Sequence, residues 1–447
     1  MENKCSLENI SPVDGRYIEK TKRLSSYFSE YALFRYRVMI EVEYFIALCK
    51  IPLKQLGNID PRKIDKLRSF YRGFELKDAI HIKEIESTTN HDVKAVEYYL
   101  AEKFSEIGLQ EYVQFLHFGL TSQDINNTAF PLCLNDALNE QFKPMLKKIL
   151  KSLKSLSEKW KDVSMLARTH GQAASPTRMG KEILVFAERL KIQLENLSSV
   201  HLTAKFGGAT GNFNAHHVAY PDVDWVKFSN DFLNSFGLER QQVTTQIEHY
   251  DQLAALFHAI CRINTILLDF CRDIWMYVSY GYFSQKISET EVGSSTMPHK
   301  INPIDFENAE GNLGVANALL LHMASKLPVS RLQRDLTDST VMRNTGTTIA
   351  YSMIAYQSIL KGLNKLVINE IKIAEDLEDN WAVVAEAIQT ILRREGYSDA
   401  YESLKKLTRT GCEITMVMIH EFIENLQVSN DVKKEMQSIT PQNYTGI

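Results

Sequence analysis

Apolar side chains recur along this chain mainly at spacings of three and four. The clearest run lies between about residues 250 and 283. There Leu253, Leu256, Phe257, Ile260, Ile263, Leu267, Phe270, Ile274 and Tyr277 share one face, and Asp269, Arg272 and Asp273 lie on another. No Pro or Gly interrupts the run before Gly281. Such a stripe predicts a long amphipathic helix with a narrow seam, the form suited to a bundle. Met145, Leu146, Ile149, Leu153, Leu156 and Trp160 repeat the pattern, and Pro-free helical stretches cover about 179–204 and 346–368. Helices of this length cannot bury their stripes within a small globule, so they need one another and other subunits. Before about residue 112 and after about 365 the pattern reads as shorter helices joined by loops, and convincing strands are scarce. The expectation is an all-α protein of three helical domains: 1–112, a central long-helix bundle over 113–364, and 365–447.

Composition agrees with helices. The 447 residues include 44% hydrophobic and 24% charged, an ordinary globular balance. They include only 20 Gly and 11 Pro, where average usage would give roughly 31 and 22. A net charge of −4 carries no basic excess of the kind a nucleic-acid binder shows. Cys5, Cys49, Cys133, Cys261, Cys271 and Cys412 form no CxxC pair and suit neither a zinc knuckle nor a disulfide framework. Reduced thiols in a cytoplasmic protein are expected. MENKCSLENI lacks the apolar core of a signal peptide, and no run of 18 apolar residues predicts a membrane span. The Gly-rich FGGATGN at 206–212 fits no dinucleotide or phosphate-loop spacing and reads as a plain turn after a helix. His216-His217 has no acidic or cysteine partner at ligand spacing, so no metal is expected.

Five stretches break the helical pattern with dense polar residues: SPVDGRY at 11–17, ESTTNHDVKAVEYYL at 86–100, HFGLTSQDINNTA at 117–129, ARTHGQAASPTRMGKE at 167–182, and GSSTMPHKIN at 293–302, which runs on to Asn312. Each alone can be a helix start, because Ser, Thr, Asn and Asp cap helices. Asn302-Pro303 followed by Asp305 and Glu307 is a good helix N-terminus. The 169–177 stretch reads as a loop leading into the helix that follows. Together, however, they place His91, His117, His170, Ser294 and Lys300 among hydroxyls and amides. Histidines near pKa ~6.5 suit acid–base work. A serine beside a lysine and a helix N-terminus has two reasons to ionise, and the same N-terminus offers N–H groups to a carboxylate.

GSSTMPHKIN matches the Gly-Ser-x-x-Met-x-x-Lys-x-Asn signature of the fumarase/aspartase superfamily at every fixed position. THGQ at 169–172 and TSQDINN at 121–127 resemble two further superfamily regions. SPVDGRY, TTNHDVKAVEYYL and SKLPVSRLQRDLTDSTVMRN at 325–344 resemble the adenylosuccinate lyase branch in its shorter-loop bacterial form. The resemblance covers nearly the whole chain. It implies an all-helical homotetramer whose central bundle is built from all four subunits, with each active site shared between subunits. It also implies β-elimination of fumarate from adenylosuccinate, giving AMP, and from the succinyl-carboxamide ribotide of purine synthesis, with no metal or redox cofactor.

Carried over by position, the resemblance makes Ser294 the base and His170 the general acid; Ser294 is preferred to Ser295 because it lies six residues before Lys300. Lys300, Asn302 and Met297 would line the succinyl side, and Glu307 would pair with Lys300 or a histidine. His91, within Asn90-His91-Asp92, would support substrate. Thr121, Ser122 and Gln246 would hold carboxylates or the base. Arg16, Tyr17, Arg334, Ser339 and Arg343 would hold phosphate and ribose, as an arginine fork suits a phosphate dianion. Asn308 and Thr340 join the substrate-binding set. The alternative for Arg334 and Arg343 is a subunit-interface ion pair. Ala173 stands where the branch commonly has Pro, and Gln123 where Glu is expected. The chain stops at NYTGI, where members of the branch run on a short way.

Two other readings stay open on sequence. Another fumarate-releasing lyase of the superfamily would need no phosphate site, and Arg16-Tyr17 with RDLTDSTVMR speaks against it. A non-catalytic structural homologue would have no use for intact His170, Ser294 and Lys300.

Overall fold

The computed structural model describes residues 7–57, 59–286, 297, 301–398, 400–408 and 414–447. Ser294, Ser295 and Lys300 lie outside the described residues. The chain is overwhelmingly helical, as its periodicity predicts, with long helices at Lys143–Lys159, Met179–Ser199, Asp251–Ser279, Ile304–Lys326 and Thr345–Lys365. Two compact units are present. One comprises 1–146, 193–265 and 311–357, and the other 147–192, 266–310 and 358–447. The three segments expected from chain order follow other lines, because each long helix contributes a part to each unit.

In Asp251–Ser279 the predicted stripe is the buried one. Leu253, Leu256, Phe257, Ile260, Ile263, Leu267, Phe270 and Ile274 are buried and Tyr277 is half-buried. This helix is apolar and long enough to cross a membrane, yet 67% of its apolar stretch is buried within the protein. One polar residue sits on the stripe. Asn264 is fully buried, donates to Ser352 Oγ at 3.0 Å and accepts from the Tyr356 hydroxyl at 2.5 Å. A buried amide is tolerated because both of its ends are bonded.

The first unit carries the helix Glu30–Leu48, apolar except for Arg37 and Glu41 among its buried residues. It also carries Ser122–Ala137, which contains Pro131 and runs through a π-helical turn at Leu138–Phe142 into the next long helix. In the second unit a separate core forms around Trp381, Ile388, Leu392, Ile419, Ile423 and Met436.

Three two-stranded sheets occur among the described residues. The largest changes the reading of 164–178. Ser164–Thr169 and Gln172–Arg178 pair antiparallel as a hairpin, where the sequence suggested a loop. Its turn is His170-Gly171, with φ of +54° and +76°, between the paired Thr169 and Gln172. A two-residue loop with both φ values positive matches the right-handed strand twist. Polar, small-residue strands such as QAASPTR carry little alternation, which is why the hairpin is weak in the pattern.

The hairpin leads into Met179–Ser199 through a close crossing. Gly180 N–H donates to the Trp160 carbonyl at 3.0 Å. A β-carbon at Gly180 would lie 2.3 Å from the Ser157 carbonyl oxygen and 2.6 Å from Lys161 Cα. Gly180→Ala is therefore expected to destabilise by about 1–3 kcal/mol, the usual cost of overpacking, read as a lower denaturation midpoint. An unchanged midpoint would mean that this crossing has slack.

Candidate active site

TTNHD folds as a sharp junction between two helices. Asn90 ends Leu76–Thr89 in the left-handed region, at φ +53° and ψ +33°, a conformation that Asn tolerates. His91 then turns extended and caps Asp92–Glu106, its Nδ1 accepting the Lys94 N–H at 3.2 Å. A ring nitrogen that accepts carries no proton, so in the neutral ring the hydrogen sits on Nε2. That nitrogen lies 3.5 Å from Ser122 Oγ.

Ser122 opens the helix Ser122–Ala137, which Thr121 and Asp124 cap reciprocally. Asp124 does more than cap. It is fully buried and its carboxylate accepts from Thr121 N, Gly207 N, Gly208 N and Lys205 Nζ, the last at 2.7 Å. Lys205 is equally buried and also donates to the Gly208 carbonyl. FGGATGN is thus a cradle for a carboxylate and not merely a turn. The backbones pass too closely for side chains. A β-carbon at Gly208 would meet the Gly119 carbonyl at 2.9 Å, and one at Gly119 would strike the His216 ring at 2.7 Å. His216 is the floor of this packing. It is buried against Phe118, Phe213 and Trp225, and burial pushes its pKa down to about 4. Among the described residues no three His, Cys, Asp or Glu side chains cluster as a metal site.

These junctions open on one cavity of about 370 Å³ in the first unit. It receives Asn90, His91, Asp92, Ser122, Arg334, Ser339 and Arg343, seven of the residues singled out from sequence. It also receives Arg37, Glu86 and Asn126, which sequence reasoning passed over. Arg37 is buried, bonded to Asn126 Oδ1 at 2.9 Å and to Asp92 Oδ2 at 2.6 Å. Burial is the largest influence and alone would raise the Asp92 carboxyl, but the Arg37 charge, the Arg37 hydrogen bond and the Val93 N–H together outweigh it and hold Asp92 below the usual carboxylate range. The signal for Arg37 was present: Arg37 and Glu41 are four apart, hence on one face, inside an otherwise apolar helix.

Arg334 donates to Gln246 Oε1 at 3.0 Å, and Gln246 in turn donates to the Ala209 carbonyl at 3.1 Å. Gln246 and Arg334 share an adjoining cleft of about 450 Å³. Among the described residues neither Arg334 nor Arg343 forms an ion pair, so three guanidinium groups face this cavity and only Arg37 is paired. Gln123, where Glu was expected, is buried and directs its amide at Ser339 Oγ over 3.4 Å.

Other candidates lie elsewhere. Exposed Arg16, half-buried Tyr17 and exposed Thr340 are not among the residues lining the cavity, and neither is Thr121. The second unit carries His170, exposed at its hairpin tip, and Met297, also exposed. It also carries half-buried Asn302, Glu307 accepting from the Trp275 indole at 3.0 Å, and Asn308 accepting from Ser358 at 2.8 Å. Behind the hairpin tip, Arg168 pairs with Asp376 at 2.7 Å and stacks over Tyr280.

His117 adopts φ +54° and holds the fully buried Glu41 carboxylate at 2.6 Å. Burial is the largest influence and pushes the His117 pKa down, but the Glu41 charge and hydrogen bond, with the Glu97 and Asp124 charges, together outweigh it and the result is up, at about 9. A histidine whose pKa rises on folding stabilises the protein fully below its unfolded value of ~6.5 and loses that contribution as pH climbs through about 9. The denaturation midpoint should therefore contain a component that falls over this window, and His117→Gln should flatten it. Parallel pH profiles for the two proteins would refute the pairing.

Comparisons with known proteins bear on this geometry. Residues 15–317 match a family model described as Lyase, and residues 330–445 one described as Adenylosuccinate lyase C-terminal. A relative from Dictyostelium discoideum, "Adenylosuccinate lyase", is 56% identical over 99% of this chain and 97% of its own length. Proteins of the same name from Legionella pneumophila (strain Corby) and Escherichia coli (strain K12) are 50% and 47% identical over the same shares. Among solved structures, a fumarate lyase from Mesorhizobium sp. BNC1 superposes with a TM-score of 0.75 at 17% identity, covering 95% of each chain. A β-carboxy-cis,cis-muconate cycloisomerase from Acinetobacter calcoaceticus sp. ADP1 superposes at 0.71 and 17%, with the same coverage. The solved structures speak for the fold, and the full-length sequence matches go further: this chain belongs to the adenylosuccinate lyase family.

Proposed function

We propose that this lyase eliminates fumarate from adenylosuccinate, leaving AMP, and likewise from the succinylated aminoimidazole carboxamide ribotide. The observation that carries the reading is the cavity around His91, where Arg334, Arg343 and Ser339 meet Ser122 within a chain whose full-length relatives are adenylosuccinate lyases. A succinylated nucleotide is anionic at both ends. Two arginines that have no carboxylate partner among the described residues suit a phosphate dianion.

The reaction removes a proton from the succinyl methylene, next to a carboxylate. Its electron pair forms the new C=C bond as the C–N bond breaks, and the departing nitrogen system takes up a proton. Ser294 serves as the base and His170 as the acid. Lys300, Asn302 and the positive end of the Ile304–Lys326 helix stabilise the doubly charged carboxylate that develops. His91, protonated on Nε2, donates a hydrogen bond to the substrate. Met297 completes the succinyl side, Glu307 pairs with Lys300 or a histidine and tunes it, and Asn308 joins the substrate-binding set. The chemistry calls for positioned acid, base and charge, and the residues assigned to it supply all three.

The reading extends to assembly. Leu184, Val185, Ile192, Val315 and Leu321 are exposed apolar residues on the long helices, and a homotetrameric bundle would cover such positions. Active sites shared between subunits would account for reactive residues so far apart in sequence. We place the protein in the cytosol, in keeping with thiols at Cys133, Cys261 and Cys271 that are buried and free.

Purified protein given adenylosuccinate should release fumarate and AMP, and none from malate, aspartate or argininosuccinate run beside it. His170→Ala should lower kcat by about 10²–10⁴-fold, the usual worth of a general acid. Fumarate from argininosuccinate alone would overturn the nucleotide reading, and undiminished turnover by His170→Ala would remove the acid assignment.

A further inference from the structure

Ser339 and Arg334 belong to the segment RDLTDS, and the segment is anchored from outside itself. Asp338 is 5% exposed. Among the described residues no lysine, arginine or histidine stands within ion-pair distance of it. A buried carboxylate without a cation must be held by neutral donors. Three serve it. Ser339 N–H donates to Oδ1 at 2.7 Å, the Ser339 hydroxyl reaches the same oxygen at 3.3 Å, and the Tyr250 hydroxyl donates to Oδ2 at 2.9 Å. The Tyr250 oxygen then accepts from Asn127 Nδ2 at 2.8 Å, and Asn127 Oδ1 accepts the Glu248 N–H at 2.9 Å.

The directions of these bonds are fixed. Burial first, and then the Asp338 charge, raise the Tyr250 phenol well above its ordinary value, so it is neutral and has one proton to give. Asn127 occupies a lone pair of the same oxygen, so that proton points at Asp338. Asp338 in turn accepts the hydrogen bond of the Ser339 hydroxyl. The Ser339 oxygen is left to accept, and its other neighbours are both donors: Gln123 Nε2 at 3.4 Å and Arg334 NH2 at 3.5 Å. Packing alone would be served by Phe at position 250. The backbone there adopts φ +64°, unusual for a bulky residue and costly unless the surroundings enforce it.

We propose that Tyr250 is a positioning residue for the nucleotide end of the substrate. Acting through Asp338, it sets the Ser339 hydroxyl as an acceptor and so aims Arg334 into the cavity. It has no place in the proton transfers, so its loss should weaken substrate binding and leave bond breaking alone. The inference rests on the reading that Arg334 grips the phosphate, and the two can be told apart.

Steady-state kinetics with adenylosuccinate and with its phosphate-free nucleoside analogue would be measured for the parent enzyme, Tyr250→Phe, Arg334→Gln and Ser339→Ala. Tyr250→Phe keeps the ring and the shape. It should raise KM for the nucleotide about tenfold, as befits one lost hydrogen bond to a charged group, with kcat within about twofold and little change for the nucleoside. The double variant with Ser339→Ala should be no worse than Ser339→Ala alone, because both act through one path. A merely structural loss would reduce the amount of active enzyme, and hence apparent kcat, without moving KM. Asp338→Asn carries the same expectation if Tyr250→Phe does not fold. An unchanged KM in Tyr250→Phe beside a raised KM in Arg334→Gln would overturn the inference and leave the phosphate reading standing. An unchanged KM in Arg334→Gln would remove both.

Discussion

The buried ion pair between Asp124 and Lys205 is the constraint on which the rest of the site depends. Both side chains are fully buried. Taking two charges out of water costs several kcal/mol each, and a pair survives only when the remaining hydrogen-bonding capacity is filled. Here it is filled by backbone: the N–H groups of Thr121, Gly207 and Gly208 donate to the carboxylate, and the Gly208 carbonyl accepts a hydrogen bond from the ammonium. That arrangement locks the start of one helix to a Gly-rich loop. The consequence runs outward. Ala209, the next residue of the loop, receives Gln246, and Gln246 receives Arg334. A pair that contributes little net stability can still fix where a distant arginine points.

The cavity is electrostatically biased without being strongly charged. Arg37, Arg334 and Arg343 face Glu86 and Asp92. Arg37 is buried and spends itself on Asp92 and Asn126, so its role is to hold the NHD junction in place, with His91 at the cavity edge. Arg334 and Arg343 line the same cavity and have no ion pair among the described residues. The division follows from burial: a guanidinium cut off from water must be paired, whereas one at a cavity rim is solvated until an anion arrives. The same rule explains Glu41, which is fully buried and takes His117 as its cation.

Much of this was legible in the sequence because helices announce themselves by period. The long stripe of Asp251–Ser279 reads directly, and so does the start of Ile304–Lys326 after Asn302-Pro303. Polar clusters between helices identified most of the cavity. What escaped was whatever lacked a period. The hairpin around His170 has short strands of small polar residues, so nothing in the pattern separates it from a loop. FGGATGN looked like punctuation, because its partner Asp124 lies far away in sequence. Arg37 and Glu41 were hidden by their setting. A pattern that scores a helix as apolar discounts two charges four residues apart, although buried charges are what a site requires. The signature loop stood out by polar density and by motif; its Ser294 and Lys300 lie outside the described residues.

The polar clusters share one physical feature. Asn90, His117, His170 and Tyr250 all adopt positive φ, at +53°, +54°, +54° and +64°. Each stands where the chain reverses between elements: at a helix junction, ahead of a capping box, at a hairpin tip, and at the start of the longest helix. A left-handed residue that is not glycine costs free energy unless its surroundings over-determine it. The over-determination is visible at three of them. Asn90 N–H is bonded back to Glu86, His117 is tied to Glu41, and Tyr250 is held by Asn127 and Asp338. His170 instead relies on Gly171 and the paired strands beneath it. Abrupt reversals let side chains from well-separated helices project past the ends of those helices, where a straight helix would direct them sideways into packing. The helices supply the rigidity, and the strained corners between them hold the polar side chains that the packing of a straight helix would leave no room for.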